Sequence, residues 1–261
     1  NGHNRTGFQS WQYGVMAGGD ARITDTVLAG FQVGWVHSSL RFRDDATSTG
    51  FSDVLLGGVY ASAASGGFYA DGLAQAGAAV NHMDRRIAFG SIAREPTGKY
   101  TSFLFGASLS TGYEWIFGNV KAGPVGTLDY GYVSNPGFAE SDPDLGLTVR
   151  GFTGNSLKTG LGAKVSGTFA AGETVVAPNL ALRWGHEFLD DSTTISARYN
   201  GSPTSGFTAR TGEPVRDSLL VDAGVSFGVS ESTKLYMRYS GQFLARGVQT
   251  QAGAVGVRYE F

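Results

Sequence analysis

The chain has 261 residues, a formal net charge of −2 and charged side chains at only 16% of positions, so no basic field exists to hold a nucleic-acid backbone. It has no cysteine, which excludes disulfide staples, thiolate chemistry and cysteine-ligated zinc. Glycine fills 40 positions, about twice its usual share, while hydrophobic residues at 41% and aromatics at 12% are too many for a disordered chain.

In chain order, Asn1–Ser10 is polar, without the charged-then-apolar pattern of a secretory leader, and residues 1–9 read as a loop remnant before the first strand. Strands are predicted near 11–22, 26–42, 52–63, 68–85, 99–116, 120–133, 155–169, 175–189, 216–229, 234–246 and 251–261, all in one domain spanning 1–261. The signal is period-two alternation, since successive strand side chains point to opposite faces. In residues 101–115 the odd positions include Phe103, Phe105, Leu109, Tyr113 and Trp115. The even positions are small or polar apart from Leu104. Leu219, Val221, Val225 and Phe227 oppose Asp222, Gly224 and Ser226; Leu235, Met237 and Tyr239 oppose Arg238 and Ser240. No stretch carries an apolar stripe at helical spacing with caps. The least charged stretch, between Asp53 and Asp71, holds Gly57, Gly58, Gly66 and Gly67, so it makes a poor membrane helix.

Connections alternate in length. Residues 23–25, 64–67, 117–119, 170–173 and 230–233 read as short turns. Residues 43–51, 86–98, 134–154 and 190–214 read as longer polar loops; the last connection, around Gly247–Thr250, is brief. Short turns at one end and long loops at the other describe an up-and-down outer-membrane barrel. Alternation by itself leaves open which face looks inward, and a soluble ligand-binding barrel with an apolar core is the other reading. Three features favour a barrel with its apolar face in lipid. The polar face carries glycine, serine and mid-strand charge. Aromatics such as Trp11, Tyr13, Trp35, Tyr113, Trp115 and Trp184 gather toward strand ends, as interfacial girdles do. The strands are also longer than those of ordinary globular sheets. In lipid every backbone polar group needs a partner, so such strands close into a barrel. Eleven strands are counted where single-chain bacterial barrels have even numbers. A twelve-stranded barrel with its first strand before residue 1 is therefore expected, with a lumen wide enough for one helix or one extended chain. A hairpin hidden in 190–214 would add two strands and leave the parity odd.

Several fragments together resemble a known family. Residues Tyr13 to Asp20 look like its early "YG-x-x-x-G-x-D" strand, and Gly67-Phe68-Tyr69-Ala70-Asp71-Gly72 its "GFY-x-DG" strand. His186-Glu187-Phe188, Gly201-Ser202-Pro203 with Phe207, Arg216-Asp217 with Gly224, and the closing Tyr259-Glu260-Phe261 follow in order. The chain is similar to the C-terminal translocator domain of autotransporters, the type V secretion β-barrel. The resemblance implies residence in the outer membrane of Gram-negative bacteria. It implies a lipid bilayer around the barrel, and a passenger and lumen helix upstream of this chain. It further implies recognition of Tyr259 and Phe261 by the outer-membrane assembly machinery, and a barrel that works as a monomer.

The charged side chains expected to face the lumen are Asp71, Lys121, Asp129, Lys158, Lys164, Arg183, Glu187, Asp222, Arg238 and Arg258. The acids among them are expected to pair across the lumen with Arg183, Arg238 and Arg258. No catalytic group, metal site or cofactor is expected. Gly224–Gly228 matches a Gly-x-Ser-x-Gly nucleophile pattern but lies inside an alternating strand instead of a strand-to-helix elbow. His3, His37, His82 and His186 show no ligand spacing. A translocator that exports an N-terminal passenger is the function this reading favours, with a porin-like small-solute channel as the alternative.

Overall fold

The computed structural model describes residues 8–42, 48–172, 174–189, 193–210, 215–244 and 249–260. Among the described residues, eleven long strands form the wall: β1 (Phe8–Arg22), β2 (Val27–Phe42), β3 (Thr49–Ser65), β4 (Phe68–Asp84), β5 (Thr97–Tyr113), β6 (Val120–Asn135), β7 (Phe152–Gly167), β8 (Thr174–Glu187), β9 (Asp217–Gly228), β10 (Thr233–Leu244) and β11 (Gln249–Tyr259). They pair in simple sequence order, and every pairing is antiparallel. This is the predicted meander. The first strand starts at Phe8, three residues ahead of its predicted start, because Gln9 and Ser10 continue the ladder opposite Arg41 and Leu40; residues 1–7 of the expected loop lie outside the described residues.

A two-residue turn joins β3 to β4. Gly66 and Gly67 adopt φ of 59° and 91°, the left-handed backbone that a two-residue hairpin turn matched to strand twist demands and that glycine adopts without Cβ strain.

Register sorts the side chains. Val15, Trp35 and Leu55 lie in one cross-strand row. Leu109 faces Leu128, Val225 faces Met237, and Met237 faces Val255. These apolar residues share one face and are mostly exposed: Phe103 is 61% exposed and Val255 79%. Among the described residues, the buried hydrophobic side chains of the core are few and small: Ala79, Val125 and Ala197. A soluble protein of this size would hide its large apolar residues. Here they cover the outside.

The polar face is concave. Gln32 on β2 donates to Gln75 on β4 at 3.4 Å, and Lys158 on β7 donates to Gln242 on β10 at 2.9 Å, each across intervening strands. Lys164 on β7 sits 4.5 Å over the ring of Tyr69 on β4. Arg258 on β11 contacts Asp20 on β1 at 2.6 Å. On a flat sheet those two strands would stand ten spacings apart, about 48 Å. The sheet therefore curls until its first and last strands are joined by side chains; among the described residues, no backbone ladder links them.

The long loops are not featureless. Ile87–Phe89 pairs with Ile92–Arg94. A separate sheet orders Phe138–Ala139, Leu147–Val149, Thr194–Tyr199 and Ser202–Arg210. The hairpin considered within 190–214 exists, but it pairs with the loop after β6 and adds nothing to the wall.

Candidate functional site

The concave face is the site. All ten charged residues predicted for it lie there by register, on the face opposite Phe103, Leu109, Val225 and Met237. Alternation groups them on one side, because a residue's parity within its strand fixes its side; the curl of the sheet makes that side the concave one.

Their pairing departs from expectation. Arg183 does bond Asp222, which also accepts a hydrogen bond of 2.7 Å from the Ser240 hydroxyl. Arg258 instead pairs with Asp20 at 2.6 Å, and Asp20 also accepts the Tyr60 hydroxyl at 2.7 Å. Asp129 takes the Ser108 hydroxyl at 2.7 Å, and Asp71 takes that of Ser62. Arg238 lies 5.3 Å from the centre of the Tyr236 ring. These partners stand on neighbouring or nearby strands, since bonds along the wall order fewer side-chain torsions than bonds across an open lumen.

Glu187 is a structural residue. Only 5% exposed, its carboxylate accepts the Ser156 hydroxyl at 2.6 Å and the backbone N–H groups of Leu157 and Leu189 at 2.8 and 3.1 Å. It ties the loop end of β8 to β7. Lys164 and Lys121 converge on Glu114, at 3.1 and 3.9 Å. Glu114 and Asp20 were both missing from the expected set; each has the inward parity of its neighbours, Glu114 in the 101–115 alternation and Asp20 in the β1 fragment.

Two pockets lie along the concave face. One, about 850 Å³, runs along β6–β10 and is lined by Lys121, Lys164, Asn179, Asp222, Arg238 and Ser240. The other, about 600 Å³, runs along β3–β7 and is lined by Val54, Leu56, Leu104, Val133 and Phe152 over Gly77, Gly106, Gly131 and Gly154.

On the outer face two His–Asp pairs sit toward the loop end. His37 bonds Asp53 at 2.9 Å between Trp35 and Phe51. His186 bonds Asp217 at 2.9 Å beside Trp184 and Phe188. Trp184 also donates to Asp217 at 3.1 Å. Such polar-tipped aromatic clusters suit the boundary between acyl chains and headgroups. At the other end Phe68, Tyr113 and Trp115 stack edge to face, and Tyr259 is 57% exposed. Phe261, the last residue of the expected assembly signal, lies outside the described residues. Among the described residues, no group of three or more His, Asp or Glu is placed to hold a metal.

Comparison with known proteins converges on this geometry. Residues 1–240 match the family model for the autotransporter beta-domain. An extracellular serine protease of Serratia marcescens is 23% identical over 99% of this chain, which spans 24% of that protein's length. Outer membrane protein A of Rickettsia conorii is 27% identical over 63% of the chain and 8% of its own length. Among solved structures, the translocator domain of NalP from Neisseria meningitidis superposes with a TM-score of 0.74 at 17% identity, covering 100% of this chain and 83% of that one. The beta domain of the Bordetella autotransporter BrkA gives 0.69 at 19% identity, covering 97% and 92%.

Proposed function

From the premise that this chain belongs to the autotransporter beta-domain family, a bacterial outer-membrane translocator barrel, we propose how it carries an N-terminal passenger to the cell surface. The observation that carries the reading is the inversion of the sheet: apolar residues outside, paired charges and serines on the concave face, and Arg258 meeting Asp20 where the curled sheet returns on itself. The lumen acts as a passive conduit and performs no bond chemistry. Its charges are largely satisfied by partners along the wall, so a passing chain is solvated without being trapped. Tyr259 and Phe261 serve as the signal read by the assembly machinery, and the barrel works as a monomer. The chain spans about a quarter of the length of the Serratia relatives it matches; which passenger it exports belongs to sequence beyond this domain.

The test joins a signal peptide and a reporter domain to the N-terminal side of this chain in a Gram-negative host. The expected result is reporter cleaved by protease added to intact cells. Reporter retained in the periplasm, with small-solute uptake raised instead, would favour the porin-like reading.

A further inference from the structure

The two His–Asp pairs of the outer face differ in what stands two residues farther along the histidine strand. After His186 comes Phe188; after His37 comes Ser39. Ser39 shares the outward parity of His37 on β2, whereas Ser38 faces the lumen and meets Ser10 and Gln12. Ser39 is half-buried between Trp11 on β1 and Phe51 on β3, and among the described residues its hydroxyl has no hydrogen-bond partner. Asp53, directly opposite His37, holds the ring, with Oδ1 2.9 Å from Nδ1. A carboxylate there keeps the proton on Nδ1 and leaves Nε2 as an acceptor. The imidazole lies 5.9 Å from the Phe51 ring at an interplanar angle of 25°, alongside the row that holds Ser39. About 6.8 Å of strand separates the two Cα atoms, a gap that an imidazole reaching along the strand spans, and such contacts tighten once substrate is bound.

The depth of this group on the barrel identifies what it meets. On one side of it the outer row is Val15, Trp35 and Leu55, apolar and exposed. On the other side, toward the loops, the outer row is Gln9, Arg41, Thr49 and Asp84. His37 and Ser39 occupy the two rows between. That is the level at which a membrane lipid's ester bonds join its acyl chains to its headgroup. Arg41, two residues past Ser39 on the same face, is exposed; among the described residues it has no carboxylate within ion-pair distance. It stands on the headgroup side, where a lipid phosphate lies.

We infer that Ser39, His37 and Asp53 form an acyl-ester hydrolase site on the lipid-facing wall, with a phosphate-bearing membrane lipid as substrate. Such triads are defined by geometry and role, and their order in the chain varies freely. Ser39 Oγ attacks the ester carbonyl carbon while its proton passes to His37 Nε2. The ester C–O bond breaks, and the lipid alcohol leaves with that proton. Water then attacks the acyl group on Ser39, giving a proton to His37. The bond to Ser39 breaks, Oγ takes the proton back, and one lipid and one water have become one fatty acid and one lysolipid. Asp53 is a positioning residue that acts through His37, and Arg41 holds the phosphate. This activity is separate from passenger export and does not depend on it.

The experiment reconstitutes the purified chain in vesicles of phosphatidylethanolamine and phosphatidylglycerol and follows released fatty acid. A fluorophosphonate probe, located by mass spectrometry, reports the reactive serine. Turnover and an adduct on Ser39 are expected. Ser39→Ala, which removes one hydroxyl from the wall, is expected to abolish both while keeping heat-resistant electrophoretic migration. His37→Gln should lose about a hundredfold or more in rate; if it does not fold, Ser39→Ala still decides. Asp53→Asn should lower kcat with KM unchanged, and Asp53→Glu should recover part of the loss, a split that a merely structural contact does not give. Arg41→Gln should raise KM with kcat unchanged. His186→Gln, at the pair followed by Phe188, should leave turnover as it was. An adduct on another serine, or turnover that survives Ser39→Ala, overturns the inference. So does a folded barrel that neither releases fatty acid nor takes up the probe. Turnover of a soluble short-chain ester with none of the phospholipid overturns the lipid assignment, and an unchanged KM in Arg41→Gln overturns the phosphate contact.

Discussion

The barrel wall and the loop-end sheet are both antiparallel β-structure, yet different forces hold them. In the wall, strands of 11–17 residues run in simple order. Each residue's side is set by parity, and the outer residues gain stability from lipid. The loop-end sheet has strands as short as two residues contributed by two loops far apart in the chain. It is pinned by a few polar contacts. Glu140, 6% exposed, accepts Arg85 at 2.6 and 3.2 Å and the Leu147 N–H at 2.8 Å. Arg85 also donates to the Leu145 carbonyl at 2.9 Å. Asn200 donates to the carbonyls of Glu140 and Asp142 at 3.0 and 2.7 Å. Tyr100 stacks on Phe138 at 4.4 Å. A repeated weak preference holds the wall; a handful of specific bonds holds the cap.

The sharpest way to break this contrast is to put a charge on each side of one strand. Phe105→Arg faces lipid and is expected to cost about 2–4 kcal/mol, as a cation near the bilayer midplane does, read by denaturant unfolding in vesicles. Its neighbour Leu104→Arg faces the lumen and should cost under about 1 kcal/mol, because its head stays in water. Equal costs would mean that parity does not decide the environment.

Next in size is Glu140→Ala. It leaves Arg85 without its carboxylate and should destabilise the loop end by about 2 kcal/mol, in the range of a lost hydrogen bond to a charged group. Proteolysis of 136–151 should accelerate while the wall keeps its heat-resistant electrophoretic migration. Loss of both together would join the two regions into one cooperative unit.

A smaller effect is expected from Asp222→Leu, which strands Arg183. Both side chains are partly exposed, at 16% and 36%, so solvent screening limits the cost to about 1 kcal/mol, and Asp222→Glu should recover most of it.

The mildest probe is acid. Backbone N–H groups of Leu145 and Asp144 donate to the Asp142 carboxylate at 2.7 and 3.0 Å and hold its pKa below the ordinary aspartate value. The stability this gives the loop is fully present above that ordinary value and is lost as pH falls through the lowered one. Amide exchange in 142–146 should therefore rise below about pH 4, ahead of any change in the wall.

The candidate site was legible to the same extent as the wall. Parity puts Lys158, Arg183 and Arg238 on one face, and Asp20 and Glu114 share it. It does not reveal that Arg258 meets Asp20, that Glu187 is a buried tie, or that Leu56 and Leu104 gather into one pocket, since each depends on which strands become neighbours.

Period-two alternation settled the number of described wall strands and which residues share a side, because those follow from local geometry that repeats every second residue. Curvature, closure and register settled the rest. The Arg258–Asp20 contact, the glycine-floored pocket and the loop-end sheet all unite residues distant in the chain, and no local pattern encodes which of them will meet.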